Sequence, residues 1–405
     1  VWRRAVTLAN ARVVADSGVA SSIRFASRVL SLDDGPGRSD VVVDVDGAFV
    51  LPGLVNAHDH LELNHYGRLK FRDSYENASQ WIDDMRPRLR EDPVILEGRS
   101  KKLPDRLLAG GLKNLLSGAT TVSHHNPYYR ELRRGFPVRV VKRYGWAHSF
   151  DLESAPVGAA GERGPDVAQA FARTPRDAPF LLHLGEGYDA SARSELSRLA
   201  ELGCLRENTV LVHGVGLSPE DWSRARRAGA GLVWCPASNR FLFGRTVPID
   251  AFVEREPGSD SAIAIGTDSR LSGARDFLEE LREARASAGL EPATLMRMAT
   301  RNGASLLKLP RAGRITPGLP ADLLILPPLA PDPAEALLRL DRSRIRLVTV
   351  AGRPFVGAPE LRAVFEARRV PAAKATLDGE ARLLDAMLAR RIRSSGVAEP
   401  GLKVW

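Results

Sequence analysis

Cysteine is scarce: Cys204 and Cys235 are the two in 405 residues. Two cysteines with no CxxC spacing exclude a disulfide framework and make a cytoplasmic protein the expectation. Long apolar runs are missing as well. None approaches the roughly 18–20 residues a membrane helix needs, and the charge-free stretch from Gly47 to Ala57 is broken by Pro52. The first residues, Val-Trp-Arg-Arg-Ala-Val, have no apolar segment behind their arginines, so no signal peptide is expected. Lysine is rare too: eight of the 58 basic residues. The net charge of +9 therefore comes from arginines, and these are interspersed with acids, as in Arg282-Glu283-Ala284-Arg285. No basic stripe or recognition motif accompanies them, so no nucleic-acid partner is expected.

The remaining composition, 44% hydrophobic and 26% charged, is that of a globular chain able to bury a large core. Residues 1–50 read as β, with Arg12-Val13-Val14 and Val41 to Val45 separated by turn residues. From 51 to about 311, short apolar runs alternate with helical segments. The runs begin at Gly53, Thr120, Val138, Phe180, Val210, Gly231 and Ala262, and an eighth is expected near Tyr144 to Phe150. Repeated strand–helix alternation predicts a parallel sheet, and seven or eight units favour closure into a β/α barrel. Residues 312–358 return to β and would pair with 1–50, so the barrel is inserted into a small β-domain. Residues 359–405 read as a helical extension, with Glu380 to Arg391 amphipathic.

Polar residues follow the apolar runs directly. His58 and His60 end the first, His183 the Phe180 run and His213 the Val210 run, while Asp268 follows the Ala262 run. The C-terminal ends of strands are where the active site of a β/α barrel lies. Residues i and i+2 of a strand share a face, so His58 and His60 project together and Asp59 points away. Three imidazoles and a carboxylate make a donor set for one divalent ion, with zinc first and iron or manganese as alternatives. Open positions on that ion would bind water and make it more acidic. His213 is either a fifth ligand or a partner of the reacting water. Glu186, three residues past His183, could move a proton from water to a leaving nitrogen, or be a loop carboxylate.

Together the segments Leu51-Pro-Gly-Leu-Val-Asn-Ala-His58-Asp-His60, His183-Leu-Gly-Glu186, Val212-His213-Gly, Cys235-Pro-Ala-Ser-Asn239 and Gly266-Thr-Asp268-Ser resemble the amidohydrolase superfamily. The branch they are most similar to is that of mononuclear deaminases and chlorohydrolases. The resemblance implies an α/β fold, a distorted (β/α)8 barrel inserted into a β-sandwich from both termini. It implies His58, His60, His183 and Asp268 on one metal, Glu186 as proton shuttle and His213 beside the reacting water. Two positions depart from the pattern. Trp234 stands where many relatives have histidine, and Lys142, inside an apolar run, is a poor candidate for a metal-bridging lysine.

Further candidates face the substrate: His65 and Arg68 after the metal pair, His125 (or His124) at the end of the second run, and Trp146 with His148 if the eighth strand lies there. Arg68 would offer a fork for a carboxylate or carbonyl. Trp81, Trp222 and Phe241 read as packing residues and Cys235 as a small buried hydrophobe. The expected activity is hydrolysis of a C–N bond in a small cyclic or heteroaromatic molecule, deamination first and cyclic amide or imide hydrolysis second. A catalytically silent scaffold is the third reading. A homodimer is compatible with all three.

Overall fold

The computed structural model describes residues 4–133, 135–152, 156–157, 162–255 and 259–405. Eight parallel strands follow one another along the chain: β1 (Leu54–Asp59), β2 (Ala119–His124), β3 (Arg139–Val140), β4 (Gly145–Ala147), β5 (Phe180–Leu184), β6 (Thr209–His213), β7 (Gly231–Trp234) and β8 (Ile263–Ile265). They form two sheets, one ordered β3-β2-β1 and the other β4-β5-β6-β7-β8. The strand expected between Tyr144 and Phe150 is thus Gly145–Ala147, paired in parallel with Phe180–Leu182. The two sheets meet beyond β1 and β8. A parallel bridge joins Asp59 to Asp268, and His60 N–H donates to the Asp268 carbonyl at 3.0 Å. No ladder joins β3 to β4 among the described residues. The architecture is α/β and similar to a TIM barrel.

Helices return the chain between strands and carry their own start signals. Asp189 caps Ala190–Glu201, Ser218 and Asp221 form a capping box on Pro219–Arg227, and Asp276 caps Phe277–Ala288. Between the strands, Val55, Ala57, Leu181, Val210, Val212, Val233 and Ala264 pack into one buried cluster with Ala304 and Leu307. Leu181 and His183 share a strand face, so the same periodicity that fills this core puts an imidazole at its mouth. On β1 the phase differs. Val55 and Ala57 face the core, and the pairing with β2 shifts register between Asn56 and Asp59. An irregularity of this kind redirects side chains, which is how His58, one residue out of phase with Ala57, reaches the site.

Strands from both ends of the chain build a nine-stranded sheet, which includes Arg12–Ala15, Phe49–Pro52, Leu323–Leu326 and Leu347–Val350. A four-stranded sheet of residues between Val6 and Asp44 packs on it through one buried cluster that contains Phe25, Val50 and Ile325. The helical reading of the last segment needs correction. Glu380–Asp385 is a strand, paired along its whole length with Ala372–Leu377, and Leu402–Val404 adds a further strand. Helix there is limited to a 3-10 turn at Pro359–Leu361 and the α-helices Arg362–Ala367 and Ala386–Ser395. The pairing overrides the local preference of Glu380-Ala-Arg-Leu-Leu, because a hairpin on an existing sheet edge satisfies its backbone and buries Leu383 and Leu384. The segment also reaches the barrel. Glu399, 0% exposed at its side chain, receives both terminal nitrogens of Arg270 at 2.9 and 2.7 Å and Arg342 Nη1 at 2.7 Å.

Candidate active site and metal centre

Three imidazole nitrogens converge at the end of the parallel strands. His183 Nε2 is 3.2 Å from His58 Nε2 and 3.3 Å from His60 Nε2. Asp268 Oδ1 lies 3.7 Å from His58 Nε2 and 3.6 Å from His60 Nε2. The approach is close because Gly266, just past β8, has no side chain; a Cβ there would fall 2.8 Å from that of His58. Nitrogens at these separations do not pair by hydrogen bonds unless one carries a proton, and burial with histidine neighbours holds His58, His60 and His183 below their ordinary pKa. Neutral imidazoles presenting lone pairs to one point are the donor set of a divalent metal ion.

The ring tautomers of His183 and His58 agree with that fit. His183 Nδ1 is 2.8 Å from the His148 carbonyl, which can only accept, so its proton sits on Nδ1 and Nε2 is free to ligate. For His58 the argument takes two steps. His125 Nε2 donates to the Ala147 carbonyl at 2.9 Å, which leaves His125 Nδ1 as an acceptor for His58 Nδ1–H at 3.3 Å. His58 Nε2 is then the bare nitrogen. Asp268 is oriented through its other oxygen, Oδ2, by the hydroxyls of Ser238 and Ser272. Burial works against its charge, yet His58, His60 and His213 hold it well below the ordinary carboxylate range.

Glu186 and His213 face each other beside this cluster, Oε1 to Nε2, at 3.6 Å. His213 Nδ1 lies 2.8 Å from Asn239 Oδ1, which fixes that proton and turns Nε2 toward Glu186. Burial pushes the Glu186 carboxyl up to about 7, with Asp268 adding to the rise and His213 opposing it. Such a group exchanges protons near neutrality. His213 and Asp268 both have left-handed backbone, φ 75° and 53°, uncommon for residues with a side chain and recurrent at functional sites.

A cavity of about 870 Å³ opens on the cluster and is lined by His60, His183, Glu186, His213 and Asp268. His148 lines it too, directly after the fourth strand. The other substrate candidates named from sequence lie elsewhere. His125 is 0% exposed behind His58, which it orients, and Trp146 packs edge-on to it at 6.0 Å; neither lines the cavity. His65 and Arg68 face a separate cleft of about 460 Å³, where Arg68 Nε donates to the Gly273 carbonyl at 2.7 Å and His65 Nε2 lies 3.1 Å from the Gly98 carbonyl. Lys142 is exposed.

Glu62 and Asn126 were not foreseen; both are buried and line the cavity next to His60. Glu62 lies past the end of β1, on the turn Leu61–Leu63, where strand parity gives no signal. Lys113 was not foreseen either. It is 0% exposed, 2.9 Å from Thr267 Oγ1 and 3.4 Å from Asp59 Oδ2. Asp59, turned away from the ligands, also accepts from Asn64 and Asn114 at 2.7 Å.

The sequence model described as Amidohydrolase family matches residues 183–355. The chain carries an amidohydrolase family domain. Among similar curated proteins, the 5-methylthioadenosine/S-adenosylhomocysteine deaminase of Halobacterium salinarum is 28% identical over 354 residues, 75% of this chain and 78% of that protein. The aminodeoxyfutalosine deaminase of Deinococcus radiodurans is 39% identical over a shorter 107 residues, 26% of this chain and 25% of its own. Among solved structures, an adenosine deaminase from Xanthomonas campestris with bound zinc superposes with a TM-score of 0.68 at 19% identity, covering 96% of this chain and 98% of that one. The atrazine chlorohydrolase of Arthrobacter aurescens TC1, complexed with zinc, gives 0.67 at 18% identity over 90% and 99%. At those identities the likeness is one of fold.

Proposed function

We propose that this amidohydrolase is a mononuclear, metal-dependent aminohydrolase that releases ammonia from a small cyclic or heteroaromatic substrate. The observation that carries the reading is the convergence of His58, His60 and His183 Nε2 with Asp268, beside a Glu186–His213 pair in one cavity. His58, His60, His183 and Asp268 would hold one ion, zinc before iron or manganese on this nitrogen-rich set. Such an ion, when bound, supplies a Lewis acid that polarises the scissile group and raises the acidity of water.

The chain's own residues do the rest. Glu186 takes a proton from the attacking water and delivers it to the departing nitrogen, a transfer suited to a carboxyl with a pKa near neutrality. His213, with Asn239 holding Nδ1, offers Nε2 to the same proton traffic. Asp268 carries charge beside the attacking water. The deaminase names of the relatives put aminated purine nucleosides first among substrates to try, and the fold's triazine-processing neighbours add aminotriazines. The parallel strands of 51–311 would form a distorted eight-stranded barrel, set into a sandwich of residues 1–50 and 312–358. No helix among the described residues is long and apolar enough to cross a membrane, and we place the enzyme in the cytoplasm.

The test is a product screen of zinc-loaded protein against aminopurines, aminopyrimidines, aminotriazines and cyclic amides. Ammonia release supports the aminohydrolase. A ring-opened carboxylate without ammonia would make it a cyclic amide or imide hydrolase, and no turnover of any class would leave a silent scaffold.

A further inference from the structure

The wall beside His60 carries a group that this chemistry leaves unused. Glu62 lies on the short turn Leu61–Leu63, two residues past His60, with 1% of its surface exposed, and it lines the cavity. One of its oxygens is engaged. Oε1 accepts from Asn126 Nδ2, and Asn126 is itself tethered because its carbonyl accepts from the Tyr144 hydroxyl. The other oxygen, Oε2, has no hydrogen-bond partner among the described residues. His124 Nδ1 is 3.7 Å away, but it accepts from the Leu61 N–H at 3.3 Å and has no proton to give. Arg106 lines the same cavity and acts on Glu62 through space.

Buried acceptors are nearly always satisfied, since a group stripped of water and given no donor destabilises the fold. At the wall of a ligand cavity the missing donor can come from the ligand. The chemistry of the wall narrows what that donor is. Besides Glu62, the carboxylates of Glu186, Glu195 and Asp268 face the same space. A hydroxyl brings lone pairs of its own into such a wall, whereas amino and amidinium groups present protons. We propose that Glu62 Oε2 is the recognition point for an N–H donor of the substrate other than the leaving nitrogen. The site thereby selects heterocycles bearing a second amino, amidine or ring N–H group. This deepens the aminohydrolase reading and rests on it.

Binding without turnover separates the two ideas. Zinc-loaded protein, with occupancy and melting temperature verified, is titrated calorimetrically with benzamidinium, benzyl alcohol and benzoate. Benzamidinium should bind more tightly than the other two. Glu62→Gln should weaken it by about tenfold or more, the scale of a lost charge-assisted hydrogen bond, while Glu186→Gln changes it by less than about threefold. Unaltered affinity in Glu62→Gln would overturn the proposal. So would an equal loss in Glu186→Gln, which would indicate diffuse negative charge, or a wild-type protein that ignores benzamidinium. Equal sensitivity of benzyl alcohol to Glu62→Gln would overturn the preference for nitrogen. Should Glu62→Gln lose fold or zinc, a crystal of the wild-type zinc protein with benzamidinium decides: an amidinium nitrogen hydrogen-bonded to Oε2 supports the assignment, and a probe seated elsewhere refutes it. Failure to hydrolyse any substrate, with these binding results intact, would count against the activity and not against the subsite.

Discussion

The two ends of the cavity are built differently. At the metal end, outward-facing atoms are committed: His183 to a backbone carbonyl, His58 to His125, Asp268 to two serine hydroxyls, His213 to Asn239. At the Glu62 end, a buried carboxylate oxygen has no hydrogen-bond partner among the described residues. Committed partners fix orientation, and an uncommitted one reads what arrives. On the proposed reading, the chemistry is set by the first region and the choice of substrate by the second.

The largest effect expected is on the ion. His58→Ala removes one of four donors, so metal analysis of protein purified without chelator should fall from near one ion per chain to a small fraction. Occupancy near two in the wild type would contradict a single centre. Next comes the proton path. Glu186→Gln keeps shape but accepts no proton, so turnover should drop by ~10²–10⁴-fold with metal content unchanged. The pH dependence follows the sign of the shift. Glu186 works as a base only when ionised, and burial raises its pKa from 4.5 to about 7. Activity should therefore climb with pH through an acid limb above the ordinary carboxylate range, a bound cation drawing the midpoint below 7. Glu186→Gln should abolish that limb. A limb that survives in the variant belongs to another group.

A smaller effect tests the commitment of partners. His125→Ala leaves all four donors but frees the His58 ring, and metal affinity by chelator competition should weaken by ~10–100-fold, the usual range for an outer partner of a ligand. An affinity matching the wild type would show that His58 needs no such hold. The smallest effect belongs to the separate cleft. His65→Ala and Arg68→Ala should alter kcat/KM by less than about twofold, since neither lines the cavity. A large loss would join the two clefts functionally.

The convergence of His58, His60, His183 and Asp268 was legible because each ends or directly follows an apolar strand, and chain order alone places such residues at one end of a parallel array. His125 shows where that logic stops. His124 ends β2 and His125 follows it, and parity says that they face opposite ways but not which way a register shift in the neighbouring strand will turn them. His65 and Arg68 lie past the strand, where period-2 reasoning no longer applies. Glu62 was passed over for a different reason: a lone glutamate in a loop carries no pattern, and its meaning comes from one oxygen that has no hydrogen-bond partner among the described residues, visible in three dimensions. The strand at Glu380–Asp385 was hidden by a sequence with helical spacing whose fate is decided by a distant sheet edge.

The contact between Arg270 and Glu399 bears on the order of assembly. Arg270 is two residues past Asp268, and its guanidinium is neutralised inside the protein by a carboxylate 129 positions later in the chain. During synthesis His58, His60, His183 and Asp268 all emerge well before that partner exists. The segment after Asp268 therefore reaches its final ion pairing only once the C-terminal segment has docked. On the proposed reading, the metal centre is among the last parts of the molecule to be completed.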